Sequence, residues 1–314
     1  MPPRPRSLLL AVLLGLVAGC TAAPAPTAPA STPASGGPSA TASGSDRPSY
    51  AVVQAALAER SAAETALTKA PIGKRDWTTV SAGYLPAAEK YEDRRIKAMK
   101  GVDIRGQHGL ESVLAWAADG STVVVSESAG SGAAYRLAVY RWNSGHPVQL
   151  FRMPMTPFSR VHGVADGVAQ PAASSTVERF VAYRSKGTRP AKVDLSSDEF
   201  IRFGPSIDKK GAPHFTETVR CAVPKAFGAP VAWQLPTDSG RLTLAAVRCQ
   251  NRLTGKGGWR AQLGDRDLAI TGDKRYFSRQ ECTAVFPMSE SVVTGGNTGW
   301  QSPQELPLSV CKTR

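Results

Sequence analysis

Apolar positions recur with two different periods along this chain, and the change of period divides it. From Tyr50 to Ala70 the sequence is rich in Ala, with Val53, Leu57 and Leu67 on one side and Pro71 just beyond, which predicts a helix. A second helix is predicted from Leu85 to Lys100. Tyr91, Ile96 and Met99 mark its apolar side, Glu89, Lys90, Asp93, Arg94 and Lys97 face the other way, and Gly101 stops it. From Glu111 onward the period drops to two. ESVLAWA, an Asp119-Gly120 reversal and TVVVSES make a hairpin; AAYRLAVYRW puts Tyr135, Leu137 and Val139 on one face and Arg136, Ala138 and Tyr140 on the other; PVQLFRM follows a turn at 143–145.

Residues 163–177 are small and turn-rich, which places a domain boundary there. Beyond them, ERFVAYR, AKVDL, EFIRF, TETVRCAV, APVAWQL, RLTLAAVRC, WRAQL, DLAIT, CTAVF and LPLSVC read as short alternating strands. The expected fold is therefore α+β. An N-terminal domain, 50–165, packs helices on an antiparallel sheet, and a β-rich domain follows at 175–314. The order of elements in the first of these is similar to the NTF2-like superfamily, which implies a curved sheet closed by helices around a conical pocket. It implies no activity.

The first 20 residues belong to neither domain. Arg4 and Arg6 precede an apolar run from Leu8 to Val17, shorter than the roughly 18 to 20 residues that span a bilayer, which is the layout of an export signal. Its end, Val17-Ala18-Gly19-Cys20, resembles the lipobox of bacterial lipoproteins. The resemblance implies cleavage after residue 19 and acylation of Cys20 as the new first residue, so that the protein sits on the outer face of a cell membrane. Two or more acyl chains give stable anchoring, at about 0.8 kcal/mol per buried methylene. In residues 21–50, 27 of 30 are Ala, Pro, Ser, Thr or Gly, a composition that forms no core and serves as a tether over 20–49. The same bias is similar to that of actinobacterial lipoproteins.

Export changes the reading of the other cysteines. Cys221, Cys249, Cys282 and Cys311 are an even set in the last third of the chain and predict two disulfides. Their spacings of 28, 33 and 29 do not choose among three pairings; Cys221 with Cys249 and Cys282 with Cys311 is taken as the working pair. No CxxC or paired-His spacing supports zinc.

Charge adds a direction. The chain carries 38 Lys and Arg against 25 Asp and Glu. From 51 to 170 the balance is 14 to 11, whereas from 171 to 314 it is 21 to 13, so the cationic excess is concentrated in the second half. Outside a bacterial membrane the anions at hand are lipid headgroups, teichoic-type polymers and acidic glycans; nucleic acid is not an expected partner.

Candidate chemistry is sparse. His108, His146, His162 and His214 are scattered, and no GxSxG, Walker loop or GxGxxG is present, so no catalytic residue, metal or cofactor is assigned. Asp265, Asp267 and Asp273 could offer oxygens to calcium, but Arg266 and Lys274 stand among them and hairpin turns fit as well. Asn297 with Trp300, and Trp259 with Arg260, pair an aromatic ring with hydrogen-bonding groups as sugar sites do, although a Trp that simply covers the core is the favoured reading in each case. The expectation is a lipid-anchored, non-catalytic envelope protein that binds an anionic polymer, a glycan or another envelope protein. Two other readings stay open: a hydrolase whose active site is assembled only by the fold, and a purely structural assembly partner.

Overall fold

The structure is a computed structural model that describes residues 47–100, 103, 105–129, 135–143, 145–155, 163–164, 167–187, 193–195, 214–262, 265, 268, 275–296, 298–301 and 310–313. Cys20 and the tether up to residue 46, His162, Asp267, Asp273, Asn297, the segment EFIRF and all of DLAIT but Leu268 lie outside the described residues. Among those described, no helix is long and apolar enough to cross a membrane.

The fold is a mixed α+β arrangement built on one large curled sheet. Helix α1 (Tyr50–Lys69) begins where the Ser49 hydroxyl accepts from the Val52 amide at 3.4 Å, and it ends one residue before Ala70 and Pro71. Helix α2 (Leu85–Met99) starts with Pro86 in its first turn and closes on Lys100, whose φ of 53° is the left-handed cap geometry.

Four antiparallel strands follow: β1 (His108–Ala117), β2 (Thr122–Ala129), β3 (Tyr135–Arg141) and β4 (Val148–Met155). The β1–β2 reversal falls at Asp119-Gly120, where Gly120 has φ 68° and Asp119 accepts from the Ser121 amide at 2.9 Å. Strand β5 (Val168–Pro171) lies within the turn-rich segment; it pairs parallel with β1 and antiparallel with β10 (Ala232–Thr237), so the sheet runs on through it. The remaining strands are β6 (Val193–Leu195), β7 (Phe215–Ala222), β8 (Lys225–Ala226), β9 (Ala229–Pro230), β11 (Gly240–Gly255), β12 (Ala261–Gln262), β13 (Tyr276–Phe277), β14 (Arg279–Val293), β15 (Thr298–Gln301) and β16 (Val310–Thr313).

The expected strand ERFVAYR is instead part of helix α3 (Ser174–Lys186). Its buried residues Thr176, Phe180, Tyr183 and Arg184 follow a 3.6-residue period, whereas the continuous apolar run from Phe180 to Tyr183 is too short to tell a strand from a helix by itself. Helix α3 covers β7 and β11, and Phe180 and Tyr183 pack there with Val247, Cys249 and Trp300.

Strands β11 and β14 are the longest, 16 and 15 residues, and pair along 15 consecutive positions. On one face Leu242, Leu244, Ala246 and Val285 join Leu137, Val139, Phe151 and Met153 of β3 and β4 in a shared core, so the curl brings the two ends of the sheet together. Val53 and Leu57 of α1 pack on the opposite face of β1 to β3, against Trp116, Val125 and Ala138. The expected split of β3 holds: Leu137 and Val139 point one way, Ala138 and Tyr140 the other.

Candidate functional site

The α1–α2 side of the sheet is rich in charge. Five arginines and five carboxylates occupy it. Arg60 donates to Glu64 at 2.9 Å, to the Val80 carbonyl at 3.1 Å and to Gln149 at 3.3 Å. Glu89 accepts from Arg152 and, at 2.9 Å, from Arg105. Arg105 and Arg75 reach Asp93 at 2.5 and 2.6 Å, and both also reach Asp103. Asp93 accepts from the Trp77 indole at 2.8 Å. Glu127 accepts from Arg136 and from the Tyr140 hydroxyl, each at 2.6 Å, and Tyr140 accepts in turn from Gln149. Expected to face solvent, Glu89 and Asp93 are each 2% exposed, whereas Met99 of the expected apolar side is 47% exposed. Arginines from β4 and from the loop before β1 draw the two carboxylates inward, which periodicity within α2 cannot reveal.

Charge also sets the titration of Glu64 within this network. Burial alone would raise the Glu64 carboxyl, but Arg60, Arg136 and Arg152 overturn that and hold it below the ordinary carboxylate range. A general acid needs the opposite, a carboxyl held protonated near the working pH. Loss of hydration, with Arg136 close by, pushes His108 down to about 4, so at neutral pH it is an uncharged side chain whose Nδ1 has no hydrogen-bond partner. The loop that brings Arg105 in needs Gly106: its φ is 80°, and a Cβ there would meet the Thr65 amide nitrogen at 2.8 Å.

The second half of the sheet differs. Where β11 and β14 run past the shared core they pair with β7 and β16, and α3 covers one face only. On the other face the register sets Arg220 opposite Gln250, which is opposite Thr283. Ala222, Arg248 and Val285 form the row on one side, Thr218, Arg252 and Glu281 the row on the other, and Thr216, Thr254 and Arg279 the row beyond that. Arg220, Arg248, Gln250, Arg252 and the three threonines of β7 and β11 are exposed. Glu281 pairs with Arg252 at 2.9 Å and with Arg279. Arg220 and Arg248 make no ion pair among the described residues. Arg248 and Arg252 stand about 13 Å apart along β11, and Arg220 projects from β7 at the level between them. Cations therefore recur in steps of about 7 Å on a flat surface bordered by hydroxyls, where anions spaced along a polymer can be met several at a time.

The residues singled out from sequence divide among these regions. Trp300 is fully buried: its ring meets Phe180 and Tyr183 edge to face at 4.8 and 5.7 Å, and its indole donates to Glu290 at 2.9 Å. Protein therefore occupies the surroundings a sugar would need. Trp259 is 47% exposed and stacks on His214 with centroids 3.5 Å apart, and Arg260 beside it is exposed. Cys221 and Cys249 are disulfide-bonded, and Cys311 is the register partner of Cys282 across β16 and β14. Of the candidate calcium oxygens only Asp265 is described, and it pairs with Arg275 at 2.6 Å. Among the described residues no three His, Cys, Asp or Glu side chains come together as metal ligands. The Arg220–Arg248 relationship was missed because it depends on the β7–β11 register; alternation of Arg with small polar residues in TETVRCA and AAVRCQNR is the signal that carries it.

No protein-family model, no curated protein and no solved structure matches this chain.

Proposed function

We propose that this chain is a lipid-anchored protein of the cell envelope, non-catalytic, which Cys20 and the 20–49 tether hold outside the membrane so that its exposed strand face can bind an anionic envelope polymer. The observation that carries the reading is the row Arg248, Arg220, Arg252 on an exposed face where four guanidiniums meet one carboxylate, Glu281. Like charges at neighbouring positions of a sheet cost a few tenths of a kcal/mol, and a polyanion turns that cost into attraction. The helix-covered half supports a scaffold role, because Glu64, Glu89, Asp93, Asp103 and Glu127 are each committed to an arginine. A second bridge, Cys282 to Cys311, belongs to the same proposal and would fasten β16 to β14 as the first fastens β7 to β11. The order of elements, helices before a meander, supports the NTF2-like comparison as regards layout alone.

Titration of the detergent-solubilised full chain with polyglycerol phosphate, at about 50 and about 200 mM salt, tests it. Binding that weakens steeply with salt is expected, as counterion release requires. Absence of binding at the lower salt, or binding that the double variant Arg220→Gln, Arg248→Gln leaves unchanged, overturns it.

A further inference from the structure

A second concavity lies away from the basic face, where β5 joins the two parts of the sheet. This strand pairs only Val168 and Ala169 with β1, and only Gln170 and Pro171 with β10. So short a bridge leaves a cleft of about 670 Å³ between the start of α3, the β1–β2 turn and the end of β9. That volume lies in the range of sites for small organic molecules.

Two features of the lining select the ligand. First, it is mostly small and apolar, with a single aromatic residue, Trp233, half-buried and braced against Phe151 at a ring distance of 6.3 Å. Braced in this way, the indole gives a ready-made platform for the C–H face of a ring. Second, the polar groups are neutral or acidic. Asp119 spends Oδ1 on the Ser121 amide and hydroxyl, at 2.9 and 2.7 Å, and Gln170 is exposed with a side-chain amide that makes no hydrogen bond among the described residues. Among the described residues no Lys or Arg lines the cleft, although cations are in excess over the chain as a whole. An anion therefore finds no partner here and meets a carboxylate, whereas a polyhydroxylated neutral ring finds an aromatic wall, an amide and a carboxylate acceptor.

We propose that this cleft binds a short neutral saccharide, one ring against Trp233 and its hydroxyls hydrogen-bonded by Gln170 and Asp119. The site is separate from the arginine face and takes a ligand of different charge, so it stands whether or not the polymer reading does.

Calorimetric titration of the full chain in a sugar-free zwitterionic detergent tests it. The probes are neutral disaccharides containing glucose, galactose, mannose or N-acetylglucosamine, a uronic-acid disaccharide, and decanol for an aliphatic occupant. Binding of at least one neutral disaccharide is expected, weaker by about tenfold for Gln170→Ala and for Trp233→Ala. Gln170 is exposed, so its variant reports on the ligand even where loss of Trp233 disturbs packing. Failure of every neutral disaccharide, tighter binding of the uronic acid, equal affinity in Gln170→Ala, or decanol as the one probe that binds would each overturn the assignment.

Discussion

Cys221 and Cys249 are direct cross-strand partners, and their disulfide ties together the two strands that carry Arg220 and Arg248. Because among the described residues β7 pairs only with β11, the bridge is a covalent guard on the register that sets the cations side by side. Replacing both cysteines with serine opens a loop of sequence separation 28 and should cost about 3 to 4 kcal/mol on the chain-entropy account. Urea unfolding of the double variant measures it; a loss well under about 1 kcal/mol would mean that β7 is held by its ladder alone.

The buried ion network makes a sharper prediction. Arg136 and Glu127 are each almost wholly buried and bonded at 2.6 Å. Glu127→Gln keeps an acceptor for Tyr140 but strands the guanidinium, and should destabilise by about 3 to 5 kcal/mol. The paired change Glu127→Leu with Arg136→Met leaves no uncompensated charge and should cost much less. Denaturant midpoints of the two variants decide this, and equal losses would refute the view that charge balance governs this region.

His108 gives the network a pH signature. Its folded pKa of about 4 lies below the unfolded value of about 6.5. Between those values the unfolded chain takes up a proton that the folded chain refuses, so protonation favours unfolding and stability rises with pH across the window. Glu64 also gains stability with rising pH, but only below the ordinary carboxylate range. Facing His108 are Arg136, Arg152, Glu127 and Glu64. His108→Asn should therefore flatten the stability curve in that interval and leave the acid limb intact. Thermal melts at half-unit pH steps would show it.

How much of this could be read from the sequence depends on the range of the interactions involved. The end of α1 and the start of α2 were legible because Pro71 and Pro86 act within a turn of themselves, and the β1–β2 reversal because Asp119-Gly120 sets its own geometry. The burial of Glu89 and Asp93 was not, since Arg152 and Arg105 reach them across 63 and 12 or more positions. Helix α3 was hidden by an apolar run too short to tell a strand from a helix by itself. For Trp300 the sequence favours a ring that covers the core over one that stacks on a sugar, but it does not name the partners, Phe180 and Tyr183 from α3, that enclose it. A loop residue and a core residue can carry the same local sequence, and only the partner element distinguishes them.

Arg220 separates a binding surface from a structural one. Flanked diagonally by Arg248 and Arg252 and without an ion-pair partner among the described residues, it gives that part of the fold no attraction to lose. Arg220→Thr should leave stability unchanged or raise it by a few tenths of a kcal/mol, since a hydroxyl-bearing β-branched residue suits the strand and one like-charge neighbour is gone. The same change should weaken polyanion binding and lower the slope of log affinity against log salt by about one, the share of a single displaced counterion. Arg279→Gln, on the same face but with its charge already shared with Glu281, should change that slope less. A surface that merely keeps the protein soluble would show neither the slope change nor the difference between the two arginines, because solubility follows net charge and both variants alter it by one.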